Sequence, residues 1–315
     1  MRTLVVGAGA VGGYFGGRLI EAGRDVTFLV RPRRAAELAA GGLLIKSATG
    51  DFTAPSPPTV LSGGLDAPFD LILLSCKAYS LDDAISSFSP AVGPDTAILP
   101  LLNGMRHLDM LDERFGRAHV LGGQCVIAAT LGSQGQIVHL NQNHELSLGE
   151  RDGVLSVRVR AIADEMADTA FEAHASELIL QEMWEKWVFL AAFAGSTCLL
   201  RAAIGDIGKA PGGTEIVLGL IEECRAIAQA NGFPPRDAML ERYRGMLTAA
   251  GSPLTASMAR DIENQNPIEA DHIIGDLIRR GERVGALPDK GSLLRLAYTH
   301  LKAYEAREER SRSKR

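Results

Sequence analysis

The amino-acid sequence predicts an α/β fold in which an N-terminal domain built on a parallel sheet is followed by an all-helical C-terminal domain. Up to about Glu177, short apolar runs typical of buried strands alternate with helical segments and glycine turns. Beyond that point apolar residues recur at intervals of three and four, which indicates helices. A chain of 315 residues also exceeds the usual size of a single core. The predicted domains are 1–176 and 177–305, with a solvated tail at 306–315.

The first strand is predicted for the short, β-branched run from Arg2 to Val6, and the segment that follows it has the glycine spacing of a dinucleotide-binding turn. In such a turn the first glycine permits the tight bend, the second lets the backbone approach a pyrophosphate, and the third lets the helix pack closely on the strand. The helix, expected from Ala10 to Ala22, would present its N-terminal amides to the phosphates. The residues expected to bind the cofactor here are Gly7, Gly9, Ala10, Val11 and Gly12. The first domain is therefore predicted to be a Rossmann dinucleotide-binding domain.

Arg31 follows the second predicted strand, which runs from Asp25 to Val30. An NAD-binding unit would carry an acidic residue at this point for the ribose 2′-hydroxyl. A guanidinium suits a 2′-phosphate through its charge and its bidentate geometry, so the sequence favours NADP, with NADPH as the reduced form. The alternative is that Arg31 is only a solvated surface residue.

Two further buried strands are predicted, from Phe69 to Cys76 and from Thr96 to Leu102, with a helix between them. Lys77 directly follows the first of these strands, and Asn103 directly follows the second. Ligands of open parallel sheets bind outside the carboxyl ends of the strands. Lys77 and Asn103 are therefore expected to lie over the cofactor crevice.

The rest of the chain is assigned from periodicity. Alternating residues between Val120 and Gly149 predict short antiparallel strands that complete the sheet, and Val157 to Ala173 is predicted to be a helix. From Arg307 onward no residue is apolar, which predicts a frayed, solvated tail, a basic peptide contact being the alternative. The helices expected in the second domain are Glu215 to Asn231, Arg236 to Ala249, Pro267 to Val284 and Lys290 to Arg307.

Composition excludes several classes of function. The net charge is −5, whereas binding to nucleic acid or to an anionic membrane is typical of positively charged proteins, so neither partner is indicated. The four cysteines stand far apart, without CxxC or metal-ligand spacing, so free thiols and no metal site are expected. The chain starts directly on its first strand, and its longest apolar stretch, Trp187 to Ala194, is too short to span a bilayer. A cytoplasmic protein is expected.

A cleft between a Rossmann half and a helical half is a usual site for a nicotinamide-linked substrate. Hydride delivery to a carbonyl carbon leaves an alkoxide, which needs a proton source. Lys186 lies on a strongly apolar helix, where desolvation would lower its pKa toward the working pH. Glu269 is predicted one turn into a helix that begins near Pro267. Composition alone favours a simpler interpretation of both, with Lys186 snorkelling from an amphipathic helix and Glu269 stabilised by the helix dipole.

At these residues the chain closely resembles the ketopantoate reductases (2-dehydropantoate 2-reductases), from Met1 to about Glu305. The resemblance is carried by an ordered set of segments, which is more specific than any one motif. The matching segments are Gly7-Ala8-Gly9-Ala10-Val11-Gly12, Arg31, Cys76-Lys77-Ala78-Tyr79, Asn103-Gly104-Met105, Trp184-Glu185-Lys186-Trp187, Ser257-Met258 with Asp261-Ile262, and Glu269 with Asp271.

The resemblance implies a role for each matching residue. Lys186 matches the lysine that protonates the substrate carbonyl oxygen, and Glu269 matches the carboxylate that hydrogen-bonds the same oxygen. Asn103 matches the asparagine near nicotinamide and substrate, and Lys77 the lysine near cofactor and substrate. Ser257 matches the hydroxyl that binds the substrate carboxylate.

Three positions depart from the family pattern. The family's helix presents asparagines one and two turns after the catalytic lysine, where this chain has Leu190 and Ala194. A third substrate-side asparagine is replaced by Leu254. Without these hydrogen bonds a substrate hydroxyl or carboxylate would lack partners, so the resemblance also implies altered substrate recognition.

The sequence thus predicts an NADP-dependent oxidoreductase that reduces a small-molecule 2-oxo acid, with Lys186 as general acid. The substrate expected from the resemblance is 2-dehydropantoate, reduced to pantoate as in pantothenate biosynthesis. One alternative is a reductase of the same fold for a different, less polar 2-oxo acid or carbonyl. Another is a non-enzymatic NADP-binding sensor, against which the retained Lys186 and Glu269 argue. The oligomeric state stays open, with a homodimer as one alternative.

Overall fold

The computed structural model describes residues 1–288 and 290–313. The strands are β1 (Arg2–Val6), β2 (Asp25–Leu29), β3 (Leu43–Lys46), β4 (Phe52–Ala54), β5 (Thr59–Val60), β6 (Leu71–Leu74), β7 (Ala97–Pro100), β8 (Gly122–Leu131), β9 (Ile137–Gly149) and β10 (Glu172–Ala175). The α-helices are α1 (Ala10–Glu21), α2 (Pro32–Gly41), α3 (Leu81–Phe88), α4 (Arg106–Phe115), α5 (Val157–Glu165), α6 (Ile179–Leu200), α7 (Ile204–Ile207), α8 (Gly213–Ala230), α9 (Asp237–Leu247), α10 (Ser257–Glu263), α11 (Asp276–Arg283) and α12 (Leu293–Arg312). A π-helical turn, Asp271–Gly275, leads directly into α11.

The first sheet is parallel and has the strand order β5-β2-β1-β6-β7. Its direction of growth reverses at β1, which is the arrangement that opens a ligand crevice at the carboxyl ends of the strands. Those ends lie level with one another, because Val6 pairs with Leu29 on one side and with Leu74 on the other, and Leu74 pairs with Pro100. The predicted Rossmann domain is confirmed.

Helix α1 is packed between this sheet and a second one, and glycines allow both contacts. A Cβ atom at Gly16 would lie 2.6 Å from Phe28 of the first sheet. A Cβ atom at Gly17 would lie 2.7 Å from Ile45 of the second sheet. Both distances are too short for a side chain, so the helix backbone itself contacts the two sheets. Phe28 and Ile45 are fully buried at these contacts.

The second sheet corrects the expectation that the strands between Val120 and Gly149 complete the first. It has the order β10-β9-β3-β4, and β8 pairs with β9 in an antiparallel hairpin. Strand β9 runs unbroken through the segment predicted as two short strands, and it pairs in parallel with β3 and β10. The predicted helix from Val157 to Ala173 ends at Glu165, because Asp168 adopts a left-handed conformation (φ +57°) and Glu172–Ala175 joins β9.

The described residues divide into two compact units. The first comprises 1–102 and 107–179, and the second comprises 103–106 together with the described residues from 180 onward. The division falls after Ile179, where the sequence placed it at residue 176, and the short segment after β7 groups with the second unit. Apart from Ile179, the first residue of α6, this second unit contains α6 through α12, in agreement with the predicted all-helical domain.

Helix α12 extends through most of the segment predicted as a tail. It ends at Arg312, and Lys314 and Arg315 lie outside the described residues. The buried Tyr304 anchors the helix, since its hydroxyl donates to the carbonyl of Asn266 at 2.9 Å. Basic residues in the last turn also suit the negative end of the helix dipole.

Two composition-based expectations can be compared with the described part of the chain. Cys125, Cys198 and Cys224 are buried, Cys76 is half-buried, and none of the four takes part in a disulfide bond. Burial raises the pKa of Cys198 to about 12. None of the described helices is long and apolar enough to cross a membrane.

Candidate active site

The glycine turn after β1 has the shape that a pyrophosphate requires. Gly7 has a φ of +95°, which side-chain-bearing residues rarely adopt, and it closes the bend between β1 and α1. A Cβ atom at Gly12 would lie 2.0 Å from the Ser75 hydroxyl and 2.3 Å from the Gly7 carbonyl oxygen. A Cβ atom at Gly9 would meet no atom within 4 Å, so the turn is open on that side. Protein atoms thus fill the space beside Gly12, while the space beside Gly9 is open and can take a diphosphate.

Helix α1 begins at Ala10, and its first hydrogen bond runs from the N–H of Gly13 to the carbonyl of Gly9, so the N–H groups of Ala10, Val11 and Gly12 have no acceptor inside the helix and face the anion site. Ser75, which follows β6, donates its hydroxyl hydrogen to the carbonyls of Val6 and Gly7 at 3.0 and 3.2 Å. The turn is therefore held from the neighbouring strand. The sequence predicts Ser75 inside the strand from Phe69 to Cys76 and assigns it no role, although a hydroxyl near the end of an apolar run is a usable signal.

Arg31 lies two residues beyond the carboxyl end of β2, at the N-cap of α2. Its Nη2 atom lies 2.6 Å from Oδ2 of Asp83 and 3.5 Å from the hydroxyl of Ser80. About two thirds of each charged side chain is solvent-exposed, at 70% for Arg31 and 66% for Asp83. The guanidinium is thus available to a 2′-phosphate, and a carboxylate stands beside it.

Arg33 and Arg34, which follow in the sequence, differ in their contacts. Arg34 donates from Nε to the Ala8 carbonyl at 3.0 Å and from Nη2 to the Gly135 carbonyl at 3.1 Å. It therefore ties the glycine turn to the β8–β9 hairpin. Arg33 is almost fully exposed and pairs with Glu37 at 3.4 Å. Lys77 is exposed and follows β6, at the strand edge where the sequence placed it.

Lys186 lies on α6, between two buried residues that fix the rotation of the helix. Glu185 is buried and accepts hydrogen bonds from the backbone N and the Nε of Arg236 at 2.9 and 2.8 Å. Trp187 is buried and donates from Nε1 to the carbonyl of Ile273 at 2.8 Å. Lys186 itself is half-buried. With both neighbours anchored, its side chain is directed to the partly exposed face of α6.

Glu269 is the last residue before a helical segment, which corrects its predicted place one turn inside a helix. Residues 266–269 are not helical, and the helix begins at Ala270. The Glu269 carbonyl accepts the N–H of Ile273 at 3.0 Å and the N–H of His272 at 3.2 Å, which starts the π-helical turn. Since Ile273 also accepts from Trp187, two hydrogen bonds join the Lys186 helix to Glu269.

Asn103 groups with the second unit, where it contacts the same π-helical turn. The buried His272 forms a hydrogen bond with the Asn103 backbone. Burial lowers the pKa of His272, so its imidazole is neutral at neutral pH. Gly104 has a φ of +78°, and a Cβ atom there would lie 3.0 Å from the His272 carbonyl oxygen. The segment that carries Asn103 is therefore held against the residues that follow Glu269.

Ser257 is exposed at the first position of α10. The preceding residue, Ala256, donates its N–H to Oγ1 of Thr197 at 3.4 Å. Thr197 lies eleven positions after Lys186 on α6, which corresponds to three helical turns. Ser257 thus lies near the far end of the helix that carries Lys186.

Two of the three positions that depart from the family pattern, Leu190 and Ala194, lie on α6. One and two turns after Lys186, Leu190 is half-buried and Ala194 is buried. Phe189 and Phe193 are half-buried beside them, with ring centroids 5.5 Å apart. Leu254, in the loop before α10, is 42% exposed.

The residues expected in one site fall into two sets. Lys77 and Arg31 lie with the glycine turn in the first unit, and Lys186, Glu269, Asn103 and Ser257 lie in the second. Three anchoring partners were missed, namely Asp83, Arg236 and His272. Asp83 bonds Arg31, Arg236 bonds Glu185, and His272 bonds the backbone of Asn103. The two residues of each pair are at least 51 positions apart in sequence, so no local pattern predicts the contact.

Comparison with known proteins then places the chain in a family. The family model described as "Ketopantoate reductase PanE/ApbA" matches residues 3–153, and "Ketopantoate reductase PanE/ApbA C terminal" matches residues 178–303. An uncharacterized oxidoreductase, YkpB of Bacillus subtilis (strain 168), is 37% identical over 307 residues, which cover 97% of this chain and 99% of that protein. The chain belongs to the ketopantoate reductase family.

Other members of the ketopantoate reductase family are similar over nearly the whole chain. The 2-dehydropantoate 2-reductase of Nostoc sp. (strain PCC 7120 / SAG 25.82 / UTEX 2576) is 26% identical, over 89% of each protein. The crystal structure of 2-dehydropantoate 2-reductase from Methylococcus capsulatus is 29% identical, with a TM-score of 0.85 over 98% of each chain. The chain is therefore an oxidoreductase acting on CH–OH groups, and a non-enzymatic sensor is not supported. Among the described residues, no group of three His, Cys, Asp or Glu side chains could hold a metal ion.

Proposed function

We propose that this protein reduces the carbonyl group of a 2-oxo acid with NADPH, and that Lys186 is the general acid. When bound, NADPH supplies the hydride that goes to the substrate's carbonyl carbon. The amides at the start of α1 would hold the pyrophosphate, Arg31 the 2′-phosphate, and Lys77 would lie near cofactor and substrate. The open face at Gly9 supports this assignment, because a side chain there would occupy the space that the diphosphate needs.

The hydrogen bond from Trp187 to Ile273 is the observation that carries the assignment of Lys186 and Glu269. It joins the helix of one to the turn that begins at the other, so both side chains belong to one locally braced structure. Lys186 would give a proton from Nζ to the carbonyl oxygen as the hydride reaches the carbon. Glu269 would form a hydrogen bond with the same carbonyl oxygen and orient the substrate. Asn103 would contact substrate and nicotinamide, and Ser257 would bind the substrate carboxylate.

Steady-state kinetics of Lys186→Ala test this proposal. We expect kcat to fall about 100-fold or more, the scale of general acid catalysis, while the Kd of NADPH changes less than about twofold. Lys209→Ala, at an exposed lysine paired with Asp206, is the matched control and should leave kcat unchanged. A Lys186→Ala enzyme with near wild-type kcat would show that another group supplies the proton.

The family name suggests 2-dehydropantoate as the substrate, with pantoate as the product, as in pantothenate biosynthesis. The aliphatic side chains of Leu190, Ala194 and Leu254, at positions where the family has asparagines, favour a second candidate, a 2-oxo acid with a less polar side chain. The two are distinguished by kcat/KM for 2-dehydropantoate and for a panel of 2-oxo acids with aliphatic and aromatic side chains. A higher value for an apolar member supports the second candidate, and a higher value for 2-dehydropantoate supports the first.

A further inference from the structure

The ion pair between Arg31 and Asp83 lies where the two nicotinamide cofactors differ chemically. Arg31 follows β2 and caps α2, and Asp83 lies in the first turn of α3, which follows β6. Oδ2 of Asp83 is 2.6 Å from Nη2 of Arg31, so a guanidinium and a carboxylate lie side by side beyond the carboxyl ends of the parallel strands. Both residues belong to the first unit.

The two charges favour different cofactors. A 2′-phosphate carries negative charge and binds a guanidinium, but a carboxylate beside that guanidinium repels the phosphate and competes for the same N–H groups. A ribose 2′-hydroxyl is a hydrogen-bond donor, and an acidic residue is its usual acceptor in NAD-binding units. Arg31 stands at the position of that acidic residue, and α3 supplies a carboxylate next to it.

The pair can separate at little cost. Both side chains are more than half exposed, and an exposed ion pair contributes little to stability because water screens it. A phosphate could therefore displace Asp83 from Arg31, and without a phosphate the carboxylate would stay in place.

We infer that Asp83 is a cofactor-specificity residue, which competes with the 2′-phosphate of NADPH for Arg31 and accepts a hydrogen bond from the 2′-hydroxyl of NADH. This inference rests on the proposed contact between Arg31 and the cofactor. It predicts a protein that binds both cofactors, with a preference for NADPH smaller than Arg31 alone would give. Removal of the Asp83 charge strengthens NADPH binding and weakens NADH binding.

Direct titration of Asp83→Asn with each reduced cofactor tests the inference, using the fluorescence of the nicotinamide and no substrate. Asp82→Asn is the matched control, because Asp82 is the neighbouring exposed carboxylate in the same first turn of α3. The measured quantity is the ratio of the Kd for NADH to the Kd for NADPH. We expect this ratio in Asp83→Asn to be more than about threefold above its value in Asp82→Asn. A ratio within threefold of the control, or below it, overturns the inference.

Arg31→Ala separates this inference from the proposal on which it rests. If Arg31→Ala lowers the ratio more than about threefold and Asp83→Asn leaves it at the control value, Arg31 binds the phosphate and the role of Asp83 alone is wrong. If Arg31→Ala leaves the ratio unchanged, the proposed contact of Arg31 with the 2′-phosphate is itself wrong.

Discussion

The indole Nε1 of Trp187 donates a hydrogen bond to the backbone carbonyl of Ile273, at 2.8 Å and in a buried position. One residue before Trp187 stands Lys186, and the N–H of Ile273 is bonded to the carbonyl of Glu269. The geometry of the two proposed acid–base groups thus depends on a side chain that carries no titratable group.

Trp187→Phe should keep most of the aromatic packing and remove this hydrogen bond. The Ile273 carbonyl would be left buried without its partner, which costs about 1 to 3 kcal/mol in the free energy of unfolding. Because Lys186 and Glu269 would be less well aligned, we also expect kcat to fall while the Kd of NADPH is retained. Trp184→Phe is the control, since Trp184 is also buried and packs against both Trp187 and Phe233, but it does not donate the hydrogen bond to Ile273. Equal losses of kcat in both variants would contradict the prediction.

Arg236→Ala should destabilise the second unit, because it leaves the carboxylate of the buried Glu185 without its charged partner. Arg236 is itself half-exposed, so we expect a loss of about 2 kcal/mol, below the cost of breaking a fully buried pair. Urea unfolding measures the loss. Arg225→Ala serves as the control and should cost less than about 1 kcal/mol, because the carboxylate it leaves behind, that of Glu222, is more than half exposed.

The ion pair between Glu185 and Arg236 also predicts a pH dependence of stability. Burial raises the pKa of Glu185, but hydrogen bonds from the side chain and backbone of Arg236 outweigh it, so the pKa lies below its ordinary value. The unfolded chain then binds this proton more readily than the folded protein does. The contribution of Glu185 is present above its ordinary pKa of about 4.3 and is lost as the pH falls through the lower folded value. Unfolding of Glu185→Gln between pH 5 and pH 3 should therefore vary less with pH than unfolding of the wild type.

Gly104→Ala should impair turnover through Asn103. The substitution places a side chain at a φ of +78° and a Cβ atom 3.0 Å from the His272 carbonyl oxygen, so the backbone next to Asn103 must move. We expect kcat/KM to fall at least about tenfold. Gly116→Ala is a matched control, with a φ of +84° but no atom within 4 Å of the new Cβ. It bears the conformational cost alone and should leave kcat/KM within about twofold of the wild type.

Gly9→Ala and Gly12→Ala should separate cofactor binding from folding. A Cβ atom at Gly9 meets no protein atom, so Gly9→Ala should fold normally and lose NADPH affinity, by about tenfold or more, as the methyl group occupies the pyrophosphate face. A Cβ atom at Gly12 collides with Ser75 and the Gly7 carbonyl, so Gly12→Ala should lower the Tm as well. Thermal unfolding and NADPH titration of both proteins check this, and normal NADPH binding by Gly9→Ala would exclude the assigned cofactor face.

The cofactor turn could be predicted from sequence because each glycine there meets a local steric demand that only adjacent residues impose. The second sheet could not, since β3 and β4 have four and three residues, too few to show a period. Periodicity also cannot distinguish strands that extend the first sheet from strands that cross the other face of α1. Glu269 was placed in the wrong turn because helix starts depend on caps and on packing. The resemblance assigned roles to Lys186 and Glu269, but the residues that anchor the two neighbours of Lys186 are far away in sequence: Arg236 is 51 residues from Glu185, and Ile273 is 86 residues from Trp187.

Helix α1 contacts a sheet on each side at glycines, so at Gly16 and Gly17 no side chain of the helix separates its backbone from Phe28 or Ile45. A change of volume at Ile45, in the second sheet, would shift the helix and with it the amides at its start. Conversely, a ligand held by those amides restrains the helix against both sheets. Occupancy of the pyrophosphate site should therefore slow amide hydrogen exchange in β3, a strand that contributes no residue to the cofactor turn.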